Sequence, residues 1–282
     1  MISGIIASFG FAGAVLVDKY ILSKRKIPQS VYIPTLFMML CLLTGIIMTI
    51  SGIPIFSSLN LSPIYLVAFI GMITLAVAWN IYYYQAIAKE TVQEFDLIMA
   101  LKPLFTVLLA WIFFQTERSV VVFGLSLLAT IAVAYAHFRH NRFYFDTYVQ
   151  HLILAVILMA LEALIIRVLL EAFTPFGIYF LRTIFIFATM HFIYKPNYNK
   201  LSKIDYNYIF MAAVFGIMLM VASYYGYQSQ GVVVTTLVML LGPLMVELYS
   251  VIVLKEKTNL KKVISFSTVM ACVTLAEIIG FK

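Results

Sequence analysis

Met99-Ala100-Leu101-Lys102-Pro103-Leu104 and Met239-Leu240-Leu241-Gly242-Pro243-Leu244 are one pattern written twice, 140 residues apart. Each copy lies inside a long apolar run. A proline inside a spanning helix removes a backbone donor and breaks the hydrogen-bond ladder. Two such breaks at matching places point to two related halves that face one site near the membrane midplane.

The rest of the chain agrees with a membrane. It is 63% hydrophobic and 11% charged, with a mean hydropathy of +1.02. Runs of roughly 20 apolar residues are long enough to cross the hydrocarbon layer as helices. They are continuously apolar rather than alternating, which favours helices over a barrel. Ten spans are expected, near 2–22, 31–51, 63–87, 95–115, 120–138, 149–171, 176–194, 207–228, 232–254 and 262–280. The first is read as a retained helix rather than a signal peptide, because it has no basic leader and no clear cleavage site. Cys41 and Cys272 both fall in apolar spans, so they read as packing residues.

These spans nearly exhaust the 282 residues. No room is left for a soluble ATPase or nucleic-acid module, and the net charge of +7 is not a nucleic-acid footprint. Lys24, Arg25, Lys26, Lys89, Arg139, Arg142, Lys195, Lys200, Lys203, Lys255, Lys257, Lys261 and Lys262 fall in the odd-numbered loops. Only Arg118 and Lys282 fall in the other loops and the termini. The bias places the odd loops in the cytoplasm and both termini outside it.

The expected fold is therefore all-α and integral to the membrane, with ten transmembrane helices as two five-helix repeats, 1–141 and 142–282. Tyr84 falls opposite Tyr224 at the same offset of 140, and Thr116-Glu117-Arg118 falls opposite Lys255-Glu256-Lys257 within one residue. An odd number of helices per repeat makes the second copy enter from the other side, so the repeats are inverted.

Ionisable residues deep in a span face a cavity or a partner. Lys102, Glu162, Arg182 and Glu247 meet that description. Two readings stand for them. Lys102, Glu162 and Glu247 face a central cavity and bind a charged or zwitterionic solute or a coupling proton, or they pair to lock helices together. For Arg182 an ion pair is the expected role. Asn80 and Tyr84 share a helix face at i, i+4, as do Tyr224 and Gln228. With Trp79 and Tyr83 they are the candidate pocket wall; the competing reading is an interfacial aromatic belt. Arg167 and Glu171, also i, i+4, are expected to pair on the helix surface. Asp18-Lys19 is read as lying near an interface, but on a helix expected to line the cavity. His137 and His140 could approach a metal, but no further ligands are nearby, and no cofactor motif occurs.

The duplicated pattern resembles the drug/metabolite transporter superfamily, in particular its ten-helix EamA-type permeases. The resemblance rests on the aromatic third span (Trp79, Asn80, Tyr82, Tyr83, Tyr84), the Leu-x-Pro that follows it and the terminal Glu117. These recur as Tyr224-Tyr225, Leu241-Gly242-Pro243 and Leu254-Lys255-Glu256. Lys102 departs from the pattern, where an uncharged residue is usual. The resemblance implies a secondary transporter in the cell (inner) membrane that exports amino acids or related small solutes by alternating access. Pro103 and Pro243 would be its hinges, a proton or solute gradient its energy source, and a monomer or homodimer its form. It also implies that the seventh helix, with Arg182, lies off the cavity, and that the termini are cytoplasmic, against the charge count, which is followed here. The alternative is an intramembrane enzyme or a flippase of lipid-linked substrates using the same cavity.

Overall fold

The structure is a computed structural model that describes residues 2–57, 62–89, 95, 98, 99, 101–115, 119–137, 147–246 and 260–280. The described helices are α1 (Ile2–Lys19), α2 (Gln29–Ser51), α3 (Pro63–Lys89), α4 (Lys102–Phe113) and α5 (Val120–His137). They continue with α6 (Thr147–Leu169), α7 (Pro175–Tyr194), α8 (Lys203–Gln230), α9 (Val232–Val238) and α10 (Leu260–Gly280). Six of them are long and apolar enough to cross a membrane: α1 with its extension to Lys24, α2, α3, α6, α7 and α8. Six of the ten expected spans coincide with these helices; at the other four places the described helices are apolar but shorter.

Local chemistry sets the ends. Thr174 caps α7 by accepting from the Gly177 N–H, and Pro175 fills the first turn, where its missing donor costs nothing. Ser202 and Asp205 cap α8 reciprocally, as a capping box. Gly52, at φ 62°, ends α2 in the left-handed conformation that glycine adopts without a Cβ clash. Inside the helices, buried hydroxyls bond back to their own ladder: Thr44 to Leu40 O at 2.6 Å and Thr236 to Val232 O at 2.6 Å. No water reaches such groups in hydrocarbon, so they must be satisfied within the protein.

The two prolines behave alike. The chain turns at Leu101, and α4 starts with Pro103 in its first turn. Likewise α9 ends at Val238, turns through Met239 and Leu240, and resumes helix at Leu241 just before Pro243. Each proline opens a new helical segment rather than bending a continuous one.

Packing joins the first five helices to the last five. The most extensive contacts pair α1 with α8, α3 with α6, α5 with α10 and α2 with α7, followed by α2 with α8, α4 with α6 and α4 with α9. Replacing each helix by the one five places along maps the four most extensive pairs, and α4 with α9, onto themselves. The α1–α8 contact is backbone against backbone, since a Cβ on Gly10 would lie 2.4 Å from the Leu219 nitrogen. Close approach over small residues is how helices gain dispersion contact where the solvent is itself apolar. Outward-facing side chains remain apolar, Ile50 at 81% and Val120 at 73% exposed. A lipid surround leaves no penalty on them.

The α-helix ends at Leu169, so Glu171, expected as the i, i+4 partner of Arg167, sits in the following turn, where it accepts from the Tyr65 hydroxyl at 3.2 Å.

Candidate functional site

A cavity lies between the two sets of helices and is lined by residues of both. Helical spacing aims its wall. Trp79 and Tyr83, and beside them Asn80 and Tyr84, are i, i+4 pairs on one side of α3. All four line the cavity, as do Lys102 and Pro103 on α4, Glu162 on α6, Tyr224 on α8 and Pro243 after α9.

The centre of the site is Glu162, 3% exposed. The Arg182 Nε donates to its Oε1 at 2.6 Å, and the Trp79 Nε1 donates to its Oε2 at 2.6 Å. The Arg182 guanidinium also lies over the Trp79 ring, 5.4 Å from the centroid, so the indole serves both charges. Burying a carboxylate is costly unless its oxygens are all answered, and here both are. Lys102 lies within electrostatic reach of Glu162 and Arg182. Tyr224 is 1% exposed and meets Tyr179 edge to face at 6.0 Å. Its hydroxyl has no hydrogen-bond partner among the described residues.

The aromatic wall continues away from this centre. Tyr84 packs edge-on against Tyr32 at 5.6 Å and Tyr83 at 5.0 Å. The Asn80 amide is tied to its own helix, donating to Ala76 O at 2.7 Å. The Tyr32 hydroxyl donates to Asp18, which also lines the cavity and is 3% exposed.

Two sequence readings change here. Arg182, expected off the cavity, lines it and forms the ion pair with Glu162. Gln228, expected in the pocket, is exposed and outside the wall; its amide donates to Leu170 O at 3.4 Å, at the end of α6. The cavity stripe of α8 runs through Gly216, Met220, Ser223, Tyr224 and Tyr227, and Gln228 begins the turn beyond it. Asp18, read as near an interface on a helix expected to line the cavity, does line it and is 3% exposed, the helix running on through a π-turn, Tyr20–Lys24. Glu247 lies outside the described residues, as do His140 and Glu117. Sequence reasoning passed over Tyr32, Tyr179 and Tyr227, because one tyrosine among 18 carries no signal until a helix face is known.

Comparisons with known proteins fit this geometry. A search of curated proteins finds no match. A solved structure titled "Crystal structure of protein" superposes with a TM-score of 0.75 at 13% identity, covering 97% of both chains, which is a likeness of fold. The model of the EamA-like transporter family matches residues 1–136 and again 147–277. Two matches of one family model over two halves, on an apolar helical bundle around a closed polar centre, have one reading: this chain belongs to the EamA-like transporter family and is a multi-pass membrane transporter of small solutes.

Proposed function

We propose that the protein is a secondary transporter with ten transmembrane helices, built as two inverted five-helix repeats, 1–141 and 142–282. It exports amino acids or related small solutes from the cell by alternating access. The observation that carries this reading is the buried polar cluster of Glu162, Arg182, Lys102 and Tyr224 on a cavity wall shared by both sets of helices. The four most extensive cross-half helix pairs support a pseudo-two-fold arrangement, because they are unchanged as a set when each helix is replaced by its counterpart. In the proposed cycle the halves rock about the breaks at Pro103 and Pro243. A proton or solute gradient drives the rocking. The working unit is a monomer or homodimer.

The test is flux. Purified protein in proteoliposomes, loaded with unlabelled amino acid, exchanges labelled amino acid from outside, and Lys102→Ala abolishes exchange while the variant stays folded in detergent. No exchange for any amino acid by folded wild-type protein defeats the substrate assignment.

A further inference from the structure

The cavity holds two polar places of opposite character. Around Glu162 the charges are unequal. Glu162 and Arg182 answer each other at 2.6 Å and leave no net charge. Lys102 adds a positive charge within reach of both. Among the described residues its ammonium makes no hydrogen bond or ion pair. Tyr224 also lies within reach of Arg182 and Glu162, and its hydroxyl is one of the buried polar groups that have no hydrogen-bond partner among the described residues. An unanswered ammonium and an unanswered hydroxyl on one wall are costly until something meets them.

Asp18 stands apart from that cluster. Its carboxylate takes the Tyr32 hydroxyl of α2, and Tyr83 and Tyr84 of α3 face the Asp18–Tyr32 pair with rings, not cations. The neighbouring Lys19 ammonium is turned away to Ile87 O at 2.8 Å. Elsewhere the wall is largely apolar, with Phe11, Leu40 and Met220.

We infer that the cavity selects solutes by one anionic group of carboxylate type, which the Lys102 ammonium and the Tyr224 hydroxyl receive together. The apolar body of the solute lies against Phe11, Leu40 and Met220. The inference rests on the transport reading above and narrows it: the carboxylate is the recognised end, and an ammonium alone is rejected. A charge-assisted hydrogen bond to Lys102 is strong where water is excluded, and the positive excess at this end of the cavity, away from Asp18, repels a cation from it. Glu162 and Arg182 are positioning residues that hold this wall and do not themselves bind the solute.

The experiment compares 3-phenylpropionate, phenylalanine and phenethylamine by binding to purified protein in detergent. Wild-type protein binds the two carboxylates at least about tenfold more tightly than the amine. Lys102→Gln loses that preference, Lys102→Arg keeps it, and Lys102→Glu turns it toward the amine. Tyr224→Phe weakens both carboxylates and leaves the amine unchanged. Amine binding equal to that of either carboxylate, no binding of either carboxylate, or a preference that survives in Lys102→Gln overturns the inference. Flux of the same compounds in proteoliposomes separates this result from the transport reading. Binding that depends on Lys102 without any flux defeats transport and leaves the anion site standing. Flux that ignores Lys102 does the reverse.

Discussion

Glu162 and Arg182 show why a buried charge must be read with its partner. Either one alone in an apolar interior would be strongly destabilising, yet the pair with Trp79 is closed. Glu162→Gln leaves the Arg182 guanidinium without its counter-charge. The expected loss is about 3–5 kcal/mol, read as a lower unfolding temperature in detergent. The double variant Glu162→Gln/Arg182→Met regains most of it, because both charges are gone. Lys102→Ala, with no ion pair to break among the described residues, keeps near wild-type stability. The sequence made Lys102, Glu162 and Arg182 visible because charges are rare in apolar runs. It did not reveal which of them pair. Glu162 and Arg182 are 20 residues apart on different helices, and only packing decides that they meet. Asp18 lies on the cavity, on the helix expected to line it, but its partner Tyr32 on α2 was not legible, again because only packing brings the two helices together.

At the scale of elements, the two broken helices were the most legible feature, because a proline acts locally and predictably. In both copies the chain turns just before the proline and a new segment begins there. Restoring the missing donor with Pro103→Ala or Pro243→Ala favours continuous helix. Each change is expected to lower flux severalfold while stability stays equal or rises, measured by exchange in proteoliposomes and by thermal unfolding. Unchanged flux in both variants removes the hinge role. Helix faces were half legible. The i, i+4 rule placed Trp79, Asn80, Tyr83 and Tyr84 together on the wall, and all four are there. The same rule failed for Gln228, which directly follows the last wall residue of α8, Tyr227, and stays outside the wall. A periodicity argument holds only as far as the helix and the cavity both extend.

At the scale of the whole molecule, hydropathy fixes the class and the interface between halves fixes the site. The strongest contacts cross from α1–α5 to α6–α10, so the cavity wall is assembled by both sets of helices. The ends of the bundle are tied across that divide as well. Arg25, in the loop after α1, meets Asp205 of α8 at 2.7 Å, and at the far end Ser57 donates its N–H to Ala172 O at 2.9 Å. In the proposed cycle these ties open in turn. Orientation follows from the loop lysines and arginines. A reporter fused after Lys282 is expected to read as extracytoplasmic, and a cytoplasmic signal reverses the assignment of sides.

Alternating access makes the most direct demand on the cavity itself: its wall must meet both aqueous sides at different moments. Ala163 lines the cavity and is 3% exposed. In a background with Cys41 and Cys272 replaced by serine, Ala163→Cys in sealed, oriented vesicles is treated with a membrane-impermeant thiol reagent from one side or the other. The account predicts labelling from each side, slowed by bound solute. Labelling from one side alone, or from neither, contradicts it.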